Sequence, residues 1–298
     1  MSNKKELKAT LGLGLDFGGE RIKDVQFMRT NGIAERVFTE KPASQPFTWY
    51  GNVISIATKN IGKHQIAAEV RANYEKNETV DIPDVVGELF LADANSLLIE
   101  IHRQCWQDVI KEQKIMCQFC PKHRVMDIDL NRIKFEPEDE KIFNIYAGTD
   151  LIVVDLPDGF EFVSPIRGTP DNPSNYAVYE GLEINRLIYR IPRLKDAIRS
   201  ENVADDNVQF WRQIAFDCLV EMQSVDEDGE VTALPRDLNT LMGMKLYTTE
   251  LTTKDLREVR EALREEIPSL PFAYMDKCGC GQNKDIPIIM EASHFFGA

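Results

Sequence analysis

The sequence predicts an α+β fold in two related, mixed α/β halves: an internal duplication joined by a zinc-binding cysteine cluster. Three observations predict it. Apolar residues alternate in short runs in some stretches and recur at helical spacing in others, so both element types are present. The 298 residues accommodate two domains of about 150 residues each. The order of helix, close cysteine pair and alternating strand also occurs twice.

In chain order, residues 1–60 carry short runs broken by Gly, Pro and Asn, among them Val53-Ile54-Ser55-Ile56-Ala57, and read as β-rich. The glycine-rich stretch Leu11 to Gly19 reads as a β-turn region, since it lacks the spacing and the lysine of a phosphate cradle. Over 93–113, Leu97, Leu98, Ile101, Cys105 and Val109 recur at helical spacing behind Asp93 as the N-cap. Cys117-x-x-Cys120 follows, then the alternating strand Val125 to Leu130. Glu136, Glu138, Asp139 and Glu140 crowd around Pro137 in a segment that reads as exposed, and the domain division falls there. Residues 1–140 form an N-terminal β-rich region with helix, CxxC pair and strand. Residues 141–298 form a helical region that ends in a CxC knuckle and a strand.

Within the second region, Leu151 to Val154 predicts a buried strand and 165–173 a loop. Leu187, Ile188, Ile191, Leu194 and Ile198 are spaced as a helix that Pro192 must kink or split. A helix is predicted over 206–223, with Phe210, Trp211, Ile214, Cys218, Leu219 and Met222 on one side, ending at the turn 226–229. In the last helix Thr252 and Asp255 form a capping box, and Leu256, Val259, Leu263 and Ile267 share one face before Pro268 stops it. Cys278-x-Cys280 and the strand Ile286 to Met290 close the sequence. Leu97 and Leu256 stand 159 residues apart, and Cys117 and Cys278 stand 161 apart. That near-constant offset supports duplication; coincidence is the competing reading, because identities between the two copies are few.

The formal net charge of −14 disfavours phosphate tracking, which needs Lys and Arg in excess, and disfavours anionic membrane. No nucleic acid and no membrane partner is expected. Met1 to Leu7 is polar, and no apolar run reaches the length that spans a bilayer, so an intracellular protein with reduced thiols is expected.

Structural zinc takes four soft ligands in a tetrahedron, and two close cysteine pairs supply them. Cys117, Cys120, Cys278 and Cys280 are therefore the candidate metal ligands of one shared zinc. Two readings stand beside this one: separate partial sites, with His123 and His294 joining the pairs, and four thiols with no metal. Cys105 and Cys218, on apolar helix faces, read as core. No nucleotide-binding, nucleophile-elbow or H-E-x-x-H motif occurs, and His64, His102, His123 and His294 have no evident Ser or Cys partner. No catalytic residue and no enzymatic activity are expected.

The C-terminal third carries a resemblance. Leu234-Pro235-Arg236-Asp237, the capped helix, the proline-containing lead into Cys278-Gly279-Cys280-Gly281, the apolar strand and the terminal His294-Phe295-Phe296 resemble the baseplate hub assembly family of T-even-type contractile phages. Leu91 to Leu130 resembles the same plan, so the likeness covers about 65 residues at the end and about 40 more in the first half. It implies a non-enzymatic structural protein of the tail baseplate, hub or wedge, working through protein–protein contacts with other baseplate or tail proteins. It implies assembly in the host cytoplasm and leaves open whether the protein is retained in the virion. The shortened CxC spacing departs from the family's knuckle and puts zinc there in question. Two other classes compete: a zinc-stapled bacterial adaptor or regulator, and a metal-dependent enzyme using Asp127 and Asp129.

Overall fold

The computed structural model describes residues 7–29, 32–39, 45–66, 70, 82–116, 123–135, 151–166, 175–265, 272–277 and 283–287. It is a mixed α+β protein with several antiparallel sheets. In chain order its elements are β1 (Lys8–Phe17), β2 (Glu20–Phe27), α1 (Gly32–Thr39), α2 (Pro46–Ala57), β3 (Thr58–Ile61), β4 (His64–Gln65), α3 (Asp84–Gly87) and α4 (Leu91–Ile101). A π-turn (His102–Trp106) leads into β5 (Val109–Met116), β6 (His123–Asp129) and β7 (Lys134–Phe135). There follow β8 (Leu151–Glu161), β9 (Glu183–Arg190), α5 (Leu194–Val203), α6 (Asn207–Cys218), β10 (Leu219–Val225) and β11 (Val231–Ala233). The described chain closes with α7 (Asp237–Met242), α8 (Thr253–Glu265), β12 (Phe272–Lys277) and β13 (Asn283–Pro287).

These elements form two compact units. One comprises Met1–Phe143, Arg193–Glu201 and Ser269–Ala298; the other comprises Asn144–Pro192 and Asn202–Pro268. One boundary falls after Phe143, and the first unit also takes in Arg193–Glu201 and Ser269–Ala298 from later in the chain. A reason is visible in the pairing: β12 lies antiparallel to β7, with Phe272 opposite Phe135.

In the first unit β1, β2, β3 and β4 form an antiparallel sheet in that order. α2 and α4 supply much of its core: Trp49, Val53, Ile54, Ile56 and Ala57 from α2, Leu97, Leu98 and Ile101 from α4. Burying side chains of this size is worth roughly 1.5–3 kcal/mol each. Residues 53–57, expected as a strand, are thus the last turns of α2. A helix apolar on all sides shows no 3.6-residue stripe, and the short run cannot be told from a buried strand by periodicity alone. The expected helix over 93–113 ends at Ile101, and Val109 begins β5 instead.

Asp93 does not cap that helix. It lies inside the first turn of α4, fully buried, and its carboxylate accepts the backbone N–H groups of Leu13 (3.1 Å) and Gly14 (2.9 Å). The β1–β2 register slips between Thr10 and Leu15, and a bulge leaves such donors without a strand partner. Gly14 has φ +77 there, and a Cβ would stand 2.8 Å from the Ile22 carbonyl oxygen, so only glycine fits.

In the second unit β11, β10, β9 and β8 form an antiparallel sheet. β8 alternates exposed and buried residues, so Val153 is 55% exposed while Ile152 and Val154 are buried; this strand is half-buried, not sunk in the core. The run from Leu187 to Ile198 divides at Pro192 into strand β9 and helix α5. The helix expected over 206–223 ends at Cys218 and continues directly as β10. α8 packs on β8, anchored by the capping box read from the sequence: Thr252 N–H donates to Asp255 Oδ2 (3.0 Å) and Asp255 N–H to Thr252 Oγ1 (3.3 Å). The other carboxylate oxygen, Oδ1, accepts the backbone N–H of Asp158 (3.0 Å), which ties the helix start to β8.

Candidate functional site

β5 and β6 form one antiparallel hairpin, and β12 and β13 form another, both in the first unit. The final pair of the first is Met116 opposite His123, and the final pair of the second is Lys277 opposite Asn283. In sequence, each cysteine pair lies between the two strands of one hairpin. Cys117, Cys120, Cys278 and Cys280 themselves lie outside the described residues, as do His294, Phe295 and Phe296. Four cysteines in two close sequence pairs are a donor set of the kind that structural zinc takes. Among the described residues, no group of three or more His, Cys, Asp or Glu is placed to hold a metal ion.

The carboxylates considered for metal chemistry are engaged with the backbone. Asp127 Oδ1 accepts the N–H of Glu112 (2.9 Å), a residue held at φ +53 where the β5–β6 register shifts. Asp129 Oδ1 caps the turn that follows β6 by accepting the N–H of Asn131 (3.0 Å). His102 is buried, with Nδ1 2.6 Å from the Gln107 carbonyl, an arrangement that closes the π-turn. Burial pushes the Cys105 thiol up to about 11, far from the reactive range, and Cys218 is buried in the second unit's core.

The feature that sequence reading missed lies in the second unit. α6 and α8 flank an open groove of about 850 Å³. Val259, Leu263, Ala215 and Tyr247 form its buried floor, and Trp211 and Leu256 are half-exposed along it. Arg212 from α6, with Lys254, Arg257 and Arg260 from α8, line it as well, and no described lining residue is acidic. Lys254 reaches Asp158 (3.0 Å), and Arg257 reaches Glu258 (3.3 Å) and Glu261 (3.9 Å). Among the described residues, Arg212 and Arg260 form no hydrogen bond or ion pair. The signal was present in the sequence as basic residues at helical spacing, 254, 257 and 260, with Arg212 in the other helix; only the packing of the helices assembles them.

No family model, no curated protein and no solved structure matches the chain. No described helix is long and apolar enough to cross a membrane.

Proposed function

We propose that the protein is a non-enzymatic assembly component of a contractile phage tail baseplate, hub or wedge, acting through contacts with other baseplate or tail proteins. The observation that carries this is the order of the closing elements. A capped helix, α8, leads to a hairpin, β12–β13, whose closing residues include Cys278 and Cys280. That is the sequence of parts on which the resemblance to baseplate hub assembly proteins rests. The first half supports it with the same order, α4 followed by a hairpin closed around Cys117 and Cys120. The repeated order also favours an internal duplication, and a close backbone superposition of residues 91–129 on 253–287 would be its signature.

In this reading Cys117, Cys120, Cys278 and Cys280 hold one structural zinc that staples the two hairpins. Bound zinc would contribute folding energy and fix the hairpin ends relative to one another. The cell that makes the protein is a phage host, and assembly takes place in its cytoplasm.

The test is co-expression with the baseplate proteins of the phage that encodes the chain. Co-sedimentation in a defined complex is expected. A chain that remains alone, in a preparation where the other proteins assemble completely, would overturn the assignment.

A further inference from the structure

We propose that the groove between α6 and α8 docks an acidic amphipathic helix of a partner protein, an inference that rests on the assembly reading above and names the kind of partner. A helix-in-groove contact needs an apolar trough and a means of fixing the incoming helix. Trp211 and Leu256 supply half-exposed apolar surface in the trough, and Val208 beside them is 53% exposed. Tryptophan in such a position is the residue type that most often anchors an interface.

Charge sets the partner's chemistry. The chain carries 49 acidic and 35 basic residues, yet among the described residues the groove is lined by four basic residues and none that is acidic. Arg212 and Arg260, from opposite walls, have no acidic partner among the described residues. A guanidinium is a planar donor that pairs bidentately with carboxylates, so two of them facing one trough select glutamates or aspartates on both sides of an apolar stripe. α6 has 12 residues, about 18 Å, so the trough suits about three turns of a partner helix. A nucleic acid strand would meet the same arginines but also the repulsion of a chain with formal charge −14, which favours the peptide.

The probe is a labelled amphipathic helix as long as α6, with leucines on one face and glutamates flanking them, titrated by fluorescence anisotropy into the full chain. Saturable binding that weakens as salt is raised is expected. Arg212→Glu combined with Arg260→Glu should weaken it roughly tenfold or more. If that variant melts at a lower temperature, Arg212→Gln with Arg260→Gln is read in its place and should weaken binding in the same direction. Unchanged affinity in a folded variant, or equal binding of a lysine-flanked helix, overturns the proposal. So does displacement of the probe by a short DNA duplex. Two further results assign the groove to another occupant and also overturn it: a wild-type dimer that the double variant dissociates, or a rise in affinity when Glu136, Glu138, Asp139 and Glu140 are neutralised. Co-sedimentation with baseplate proteins is scored on the same preparations. A chain that assembles but ignores the probe loses only this docking site, whereas one that never assembles loses the assembly reading itself.

Discussion

At Asp93 the chain buries a carboxyl group against the bulge in β1, and burial pushes its pKa from the ordinary 3.8 up to about 6. The backbone N–H groups of Leu13, Gly14 and Gly12 pull in the opposite direction but do not cancel the cost of burial. Between those two values the folded chain holds a proton that the unfolded chain has released. The stabilisation from this group is therefore complete below about pH 4 and is lost as the pH rises through about 6. Over that window wild type should lose roughly 2–3 kcal/mol relative to Asp93→Asn, which cannot ionise. Denaturant titrations of both proteins at pH 4 and pH 7 check this, and parallel pH profiles would refute it. At the neighbouring bulge, Gly14→Ala should cost about 1–3 kcal/mol, because φ +77 and the close Ile22 carbonyl both oppose a side chain.

The helix ends show where sequence reasoning reaches and where it stops. The Thr252/Asp255 box was legible because capping is local: both partners lie within one turn and use fixed spacing. Its second role was not legible, since Asp255 also accepts the N–H of Asp158, 97 residues away in sequence. Thr252→Ala should cost about 1 kcal/mol, and Asp255→Ala about 2–3 kcal/mol because Asp158 loses its partner too. Thr252 also donates its hydroxyl to Asp158 Oδ2 (2.8 Å), so urea unfolding compares two ties to β8, and equal costs would mean that the Asp158 N–H bond to Asp255 adds nothing of its own. The N-terminus of α2 has a cap that comes from a distance. Glu201 accepts the N–H groups of Phe47 (2.5 Å) and Thr48 (2.9 Å) across 154 and 153 residues. No spacing rule could find that cap. For the same reason the apolar run Val53 to Ala57 gives no helical signal in the sequence: its burial on every side is a property of the fold around it.

For the whole molecule, the zinc staple makes a prediction separate from the docking groove. Protein purified without chelator should contain about one zinc per chain, and chelation should lower the melting temperature. Cys117→Ser should then release all of it if the two pairs share one ion, whereas retention of full zinc content would assign the metal to the C-terminal pair alone. The cysteine pairs were visible in the sequence as chemistry, while their common position at hairpin ends became visible only through strand pairing. The chain also passes between the two units several times: it leaves the first at Phe143, returns for Arg193–Glu201, leaves again, and comes back at Ser269. On a ribosome this imposes an order. The second unit has all its residues once Pro268 has cleared the exit tunnel, but strand β7 must wait for β12, which is translated after the whole of the second unit. Until β12 emerges, β7 lacks the one strand it pairs with among the described residues and is a template for any extended chain nearby, so nascent protein stalled before Ser269 should depend on chaperone cover in a way that the released chain does not.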